Sequence, residues 1–198
     1  MQTKNRKIFL TLFFLSFFIF NLNLSAEEFN ITANEIVVDK ENQIIVGKGS
    51  VQAIDSEGKI INANKITYEK FREFLLAEGN VKIADIEGNV LITGKATYDK
   101  INELIITYDN TELILKEGYK LTTQNILYNI NKKILNSNHK SIFNDNDGNI
   151  IETSMFQYQI EKNLFSSIGN IKIVDIKKNK YFFKEIHIDT KKKEMIGS

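Results

Sequence analysis

The sequence predicts an all-β protein, an open jelly roll of antiparallel strands. Three observations predict this fold: a repeat of 30 residues, alternation of apolar and polar residues within each repeat, and tight polar turns between the alternating segments. The clearest copy of the repeat occupies residues 61–88. Further copies occupy residues 31–58, 91–118, 121–148 and 151–178, and a partial copy occupies residues 181–198.

The copies align without gaps. One column of the alignment is glycine in successive copies: Gly58, Gly88, Gly118 and Gly148. A second column holds large side chains: Val38, Tyr68, Tyr98, Tyr128, Tyr158 and Ile188. Aligned columns of this kind indicate that each copy is one supersecondary unit, and that neighbouring units stack to bury a shared core.

The composition excludes several classes of function. The 198 residues carry a formal net charge of +1, so the sequence lacks the strong positive charge that is typical of a nucleic-acid-binding domain. It contains no cysteine, which excludes disulfides, thiolate metal sites and cysteine nucleophiles. Hydrophobic residues make up 42% of the chain, which is enough for a buried core at this length.

Residues 1–26 are typical of a secretory signal peptide. Lys4, Arg6 and Lys7 precede an apolar run over residues 8–20, and polar and small residues then lead to a predicted cleavage after Ala26. The run is shorter than the roughly 20 residues that a membrane-spanning helix needs, although an uncleaved anchor is the alternative. Residues 27–198 form the predicted domain, and their ending part-way through a repeat is typical of truncation at the C-terminus.

Within residues 61–88 the pattern predicts short strands joined by turns. Apolar residues alternate as far as Ala63, and the alternation restarts out of phase at Ile66, which predicts a bulge or bend between them. Polar turns follow at residues 69–71 and 78–80. No segment of the predicted domain sustains a period of 3.6 residues, so no helix is predicted there.

Two architectures fit such a repeat. In a parallel β-helix each copy would form one coil, whereas in an antiparallel stack each copy adds hairpins to two facing sheets. Residues 40–42, 47–49 and 78–80 are tight polar turns that reverse the chain direction. These turns favour the antiparallel stack.

Candidate catalytic and metal-binding groups are sparse. His139 and His187 have no nucleophile arranged beside them, and residues 144–149 resemble a calcium loop but place Ser154 where an acidic ligand belongs. Aspartates recur in one column: Asp55, Asp85, Asp145 and Asp175. Aspartate beside a turn more often accepts local backbone hydrogen bonds than acts in acid–base catalysis. No catalytic residue, metal or cofactor is predicted.

The apolar face of the repeat is its most informative feature. Two facing sheets that are not sealed leave an interior that is either a packed core or a groove for a lipid tail. We expect inward-facing residues to contact lipid acyl chains, and the candidates are Ile36, Val38, Ile66, Tyr68, Phe74, Leu76, Ile83, Tyr98, Ile106, Leu113, Ile126, Tyr128, Phe156 and Tyr158.

Short motifs within the repeat resemble those of a known family. An Ile-x-Ala-Asn strand start occurs at residues 31–34 and 61–64, and an Ala-x-Gly-Asn-Val segment occurs at residues 77–81, with Gly49 and Val51 matching it one copy earlier. Together with the signal peptide, these motifs resemble the OstA-like domain of the lipopolysaccharide transport proteins. The resemblance extends over the whole of residues 27–198.

The resemblance implies a twisted, partly open β-jelly roll that binds the acyl chains of lipopolysaccharide. Such domains join other Lpt jelly-roll proteins edge to edge in the periplasm and pass the lipid toward the outer membrane, without catalysis. The docking edges implied here lie near Ile31 and Ile186.

Within the family, the chain most resembles the N-terminal domain of the LptD members, although it lacks the cysteines that many of these use. In length it resembles the free periplasmic bridge members, LptA. An LptD-type protein would continue beyond Ser198 into an outer-membrane barrel.

Two other functions stay open at this point. A structural β-solenoid, serving as a surface or scaffold protein, would have a dry core and no lipid ligand. An enzyme of the β-helix carbohydrate-processing class would need carboxylates clustered on one exposed strand face, and the aspartate column is its support.

Overall fold

The computed structural model describes residues 29–116 and 118–198, and the predicted signal peptide at residues 1–26 lies outside them. The described chain forms a 17-stranded sheet. The strands are β1 (Phe29–Thr32), β2 (Glu35–Asp39), β3 (Ile44–Asp55), β4 (Ile60–Glu69), β5 (Phe74–Ala84), β6 (Val90–Asp99), β7 (Leu104–Tyr108), β8 (Thr111–Ile114), β9 (Lys120–Thr123), β10 (Leu127–Asn129), β11 (Ile134–Ser137), β12 (Ser141–Asn144), β13 (Ile150–Thr153), β14 (Phe156–Gln159), β15 (Leu164–Val174), β16 (Lys180–Asp189) and β17 (Glu194–Gly197).

Helical structure within the described residues is limited to a 3-10 turn at Lys70–Arg72. No helix there is long and apolar enough to cross a bilayer. The strand pairings are antiparallel throughout. The prediction of an all-β antiparallel fold is therefore confirmed.

The sheet folds into two layers because the long strands bend in the middle. In β4, residues 60–62 pair with the C-terminal half of β5 and residues 65–69 pair with its N-terminal half, and the register shifts between Asn62 and Lys65. Strands β3, β5 and β15 have the same shift. The bend that the sequence predicts between Ala63 and Ile66 is confirmed, and each bent strand contributes one half to each layer.

The order of strands follows from these pairings. The first layer runs β1, β3, β4, β5, β6, β8, β9, β12, β13, β15, β16. The second layer runs β2, β3, β4, β5, β6, β7, β10, β11, β14, β15, β16, β17. Among the described strands, β1 and β2 pair with β3 alone and β17 pairs with β16 alone, so the stack begins and ends in edge strands.

Left-handed residues make the bends in the N-terminal strands. Residues 47–49 and 78–80 were predicted to reverse the chain, but they lie within β3 and β5, where each strand bends and continues. In β5, Gly79 has φ +75° and Asn80 has φ +51°, and these two residues lie where the register slips. A Cβ atom at Gly79 would lie 2.7 Å from the Nδ2 atom of Asn64 on the neighbouring strand. Glycine is therefore required both for the positive φ and for the close approach of the two strands.

We call the line where the two layers join, at the bends of the long strands, the corner. In the middle of the stack the strands end at the corner instead of bending through it, and buried hydroxyl groups line this break. They belong to Thr93, Thr107, Thr111, Thr123, Ser137, Ser141, Thr153 and Ser167. Thr107 Oγ1 accepts a hydrogen bond from the backbone N–H of Ile126 at 2.8 Å, and Thr93 Oγ1 donates to the carbonyl of Tyr108 at 2.7 Å. These bonds replace ladder hydrogen bonds that the broken strands cannot make.

Candidate functional site

The two layers enclose an apolar space that we call the cleft. At the far end of each layer, opposite the corner, the hairpin turns form a row that we call a rim, and the line between the two rims is the mouth of the cleft. Turns of the second rim are joined by backbone hydrogen bonds from Lys70 to Gln43 at 3.0 Å and from Lys100 to Glu73 at 3.1 Å. The rim is therefore a continuous ladder of turns.

The first rim is built on the aspartate column. Asp85 Oδ1 accepts hydrogen bonds from the backbone N–H groups of Glu87 at 3.0 Å and Asn89 at 2.8 Å. Asn89 Oδ1 in turn accepts from the backbone N–H of Lys116, at 3.0 Å, which links one turn to the next. The prediction that these aspartates bond the local backbone is confirmed, since Asp55, Asp145 and Asp175 accept equivalent bonds.

Aromatic contacts close the mouth over the N-terminal copies. The ring of Phe29, at the first-layer rim, lies 5.1 Å from that of Tyr68 and 6.1 Å from that of Tyr98, both edge-on. Both tyrosines belong to the second layer, so these contacts cross the mouth. Lys59 Nζ, also on the first rim, lies 5.0 Å from the centre of the Tyr98 ring.

The tyrosine hydroxyl groups lie in a dry, negative environment. Burial raises the pKa of Tyr98, and the nearby carboxylates of Glu103 and Asp55 raise it further. Burial raises the pKa of Tyr128 in the same way, with smaller contributions from Asp85 and Glu87. Because Asp55, Asp85 and Glu87 belong to first-rim turns, Tyr98 and Tyr128 point toward that rim.

The cleft is sealed at its N-terminal end and less covered toward its C-terminal end. In the first-layer column nearest the mouth, Ala53 is fully buried and Ile83 is 8% exposed, whereas Leu113, Phe143 and Ile173 are only partly buried. The column begins with the small side chain of Ala53 and continues with larger ones.

A phenylalanine cluster fills the C-terminal half of the cleft. The ring of Phe143 in the first layer lies 4.8 Å from that of Phe156 and 4.7 Å from that of Phe165, both in the second layer. Phe156 and Phe165 are stacked at 5.8 Å. Phe143 is thus the partly exposed member of an aromatic surface that spans both layers.

The structure places most of the predicted lipid-contacting residues in the cleft. Six of them are buried there: Ile66, Tyr68, Ile83, Tyr98, Ile126 and Phe156. Three are partly buried and pack against the core: Leu113, Tyr128 and Tyr158. Whether any of them contacts lipid stays a prediction.

Five predicted residues are not enclosed in the cleft, and three of them face away from it. Phe74, Leu76 and Ile106 lie on the outer face of the second layer. The inward position of Phe74 and Leu76 was wrong because Tyr68 pairs with Leu75, and directly opposed residues of an antiparallel pair point to the same face. The inward position of Ile106 was wrong for the same reason, since Tyr98 pairs with Ile105.

Ile36 and Val38 are the other two exceptions. They lie on the edge strand β2 and point to the cleft side as predicted, since Val38 pairs with Ile45 and Ile45 with Tyr68. They are 46% and 53% exposed because no further strand covers them. The predicted docking edge near Ile186 also needs correction. Ile186 is fully buried and pairs with Gly197, so β17 and residues 180–183 of β16 form that edge.

The buried residues that sequence reasoning missed include one whole column, which is Leu75, Ile105, Leu135 and Phe165. They form the column directly opposite the tyrosines across the four-residue turns of the second rim. The turn length was the signal that would have identified them, because it fixes which residue opposes the tyrosine.

The histidines contribute no site that we recognise. His187 is exposed, as predicted, and its Nδ1 atom lies 3.0 Å from Ser166 Oγ. His139 lies at the corner, with Nε2 3.3 Å from Asn125 Nδ2. Within residues 29–116 and 118–198, no cluster of histidine and carboxylate groups has the arrangement of a metal site.

No family model matches the chain, and no curated protein matches it in sequence. Among solved structures, it is similar to LptH of Pseudomonas aeruginosa, described as the LptA-homologous periplasmic component of the lipopolysaccharide transport device. The two share 15% identity with a TM-score of 0.50, over 55% of this chain and 80% of LptH. The fold is LptA-like.

Two weaker matches are to centriolar proteins. The G-box domain of the microcephaly protein CPAP shares 13% identity over 75% of this chain and 96% of that domain, with a TM-score of 0.16. The TCP10 domain of Danio rerio CPAP shares 11% identity over 74% of this chain and 96% of that domain, also with a TM-score of 0.16. Scores this low carry no argument about fold or function.

Proposed function

We propose that this protein is a non-catalytic lipopolysaccharide carrier, which shields acyl chains in the cleft between its two layers and passes the lipid onward. The observation that carries the proposal is the partly covered aromatic surface around Phe143. An aliphatic chain that covers such a surface removes apolar area from water, at roughly 25 cal/mol per Å². The LptA-like fold supports the same reading.

The openness of the jelly roll belongs to this proposal. Aromatic rings join the layers both at the N-terminal end of the mouth and around Phe143, but Leu113, Phe143 and Ile173 are less buried than Ala53 and Ile83. We place the acyl chains along this C-terminal half, with their polar head group outside the mouth. No covalent step or cofactor is needed, because transfer only exchanges one apolar surface for another.

The edge strands suit docking to other Lpt jelly-roll proteins. Strand β2 exposes Ile36, Val37 and Val38, and β17 exposes Met195 and Ile196. An unpaired edge that carries exposed apolar residues is a template for a strand of another chain. Docking at both edges would join the clefts of successive proteins into one path.

The place of the protein in the cell follows from the same proposal. A carrier of this kind acts in the periplasm and delivers lipid to the outer-membrane assembly machinery. We propose a relationship either to the LptA-type bridge or to the N-terminal domain of an LptD-type protein. The reading frame beyond Ser198 distinguishes these two, since only the LptD type continues into a membrane barrel.

A structural scaffold with a dry core is the second candidate function. Its support is the N-terminal half of the cleft, where Ala53, Ile66 and Ala77 are fully buried. The aspartate column gives no comparable support to an enzyme, because its carboxylates are engaged by the backbone of their own turns.

Site-specific photocrosslinking in a lipopolysaccharide-producing bacterium tests the carrier against the scaffold. A benzophenone amino acid is placed at Leu113 or Phe143, which face the cleft, and in matched controls at Leu76 or Ile106, which face outward. We expect lipopolysaccharide adducts from the two cleft positions and not from the two outer ones. Adducts at equal yield from all four positions, or at none, would refute the carrier.

A substitution adds a second measurement. Leu113→Asp places a charge in the cleft and should abolish the adduct formed at Phe143, whereas Leu76→Asp on the outer face should leave it intact. Circular dichroism confirms that each variant is folded. An adduct at Phe143 that survives Leu113→Asp would contradict the placement of the acyl chain.

A further inference from the structure

Phe29 occupies an unusual position for a residue at the start of a strand. It begins the edge strand β1, yet it is only 7% exposed. Its burial comes from the opposite layer, because its ring contacts the rings of Tyr68 and Tyr98 across the mouth. Of the described aromatic contacts, these two are the ones that join the rims over the N-terminal copies.

The contacts between Phe29 and the two tyrosines close only the N-terminal end of the mouth. Tyr68 and Tyr98 are 2% and 5% exposed, while Tyr128 and Tyr158 in the next copies are only partly buried. The hydroxyl of Tyr158 lies 3.2 Å from Thr190 Oγ1, on its own layer, instead of crossing to the first rim. Removing Phe29 would therefore open the part of the mouth that is otherwise closed.

Strand β1 is also weakly held in the sheet. It has four residues, it pairs with β3 alone, and residues 33 and 34 join it to β2. A short edge strand with one partner opens at a lower free energy than the central strands, without unfolding them. Its movement withdraws Phe29 and exposes Tyr68 and Tyr98 to the mouth.

We infer that Phe29 is a latch, which holds the N-terminal part of the cleft shut while β1 is docked and admits an apolar chain between Tyr68 and Tyr98 when β1 lifts. The inference rests on the proposed function for the nature of that chain, an acyl chain. The closing of the mouth by Phe29 does not depend on it. The two parts are tested separately.

The first test needs no lipid. The chain contains no tryptophan, so Phe29→Trp supplies a single reporter, and Phe71→Trp, at a turn position that is 85% exposed, is its matched control. We expect blue-shifted, weakly quenched emission from the tryptophan at position 29 and solvent-like emission from the one at position 71. Solvent-like emission from both would overturn the latch, whatever the protein carries.

Tyrosine accessibility gives the complementary measurement. Nitration of Tyr68 and Tyr98 by tetranitromethane, followed by peptide mass spectrometry, should be at least several-fold faster in Phe29→Ala than in the wild type. Phe71→Ala should nitrate at the wild-type rate, because its ring lies outside the mouth. Equal rates in all three proteins would overturn the latch.

The last measurement addresses the ligand. The association rate of a fluorescent C12 fatty acid should rise about tenfold in Phe29→Ala, which corresponds to about 1.4 kcal/mol, within the range of two lost aromatic pairs. An unchanged rate together with faster nitration would overturn the entry of acyl chains at the latch. No binding by any variant, with the tryptophan at position 29 buried, would instead overturn the proposed carrier function.

Discussion

Replacing Thr107 by valine tests whether buried hydroxyl groups hold the corner of the fold together. Valine has nearly the shape of threonine and carries a methyl group in place of the hydroxyl. Thr107 is fully buried, and its Oγ1 atom accepts hydrogen bonds from the Ile126 N–H and from Thr111 Oγ1, each at 2.8 Å. Thr111 keeps a second acceptor in the carbonyl of Asp109, at 3.2 Å, whereas the Ile126 N–H loses its partner.

The expected loss of stability follows from the Ile126 N–H group, which has no acceptor in the variant. Leaving a buried N–H without an acceptor costs about 1–3 kcal/mol, so we expect the free energy of unfolding to fall by about 2 kcal/mol. With a urea m-value of about 2 kcal/mol/M, the unfolding midpoint moves down by about 1 M. Thr97→Val, on the outer face of the neighbouring strand, is the matched control and should change stability by less than about 0.5 kcal/mol.

Hydrogen exchange makes the test specific. The amide of Ile126 should lose protection in Thr107→Val, while amides in the N-terminal strands such as β4 keep theirs. Wild-type protection at Ile126, or a urea midpoint no lower than that of Thr97→Val, would show that the hydroxyl does not replace a ladder bond.

Three further predictions concern stability. Leu135→Ala, in the core, should lower the free energy of unfolding by about 2–5 kcal/mol in urea titrations. Leu127→Ala, at a position that is 37% exposed, should lower it far less. Similar losses in the two variants would contradict the inward position of Leu135. The hydrogen bond from Lys172 lowers the pKa of Glu152 in the folded protein. The ionised carboxylate therefore stabilises the fold above the usual carboxyl pKa of about 4.3, and this stabilisation is lost as the pH falls through the lowered pKa. In Glu152→Gln the free energy of unfolding should depend less on pH over this acid range. Burial raises the pKa of Tyr98, so stability should fall as pH rises above about 10, and less steeply in Tyr98→Phe.

Fold class could be predicted because its signals are local and repeated. Alternation, polar turns and the phase change between Ala63 and Ile66 each concern a few neighbouring residues, and the bend lies where that phase change predicted it. The aspartate turns could be predicted for the same reason, since the carboxylate of Asp85 bonds the backbone of its own turn.

The candidate site could be predicted only in part. In the segment Phe74–Leu75–Leu76 every residue is apolar, so alternation alone does not say which of them points inward. The answer depends on which residue opposes Tyr68 across the turn, and the structure shows that it is Leu75. A shift of one residue reverses the facing of a whole strand, which is why three of the predicted contacts lie on the outer face.

The sequence by itself determined that each repeat is a set of antiparallel strands with one apolar face, because alternation and turn chemistry act over short distances. Only the tertiary structure decided how the two layers meet, that Phe29 lies between Tyr68 and Tyr98, and that cover decreases toward Phe143. These features depend on contacts between residues far apart in the chain.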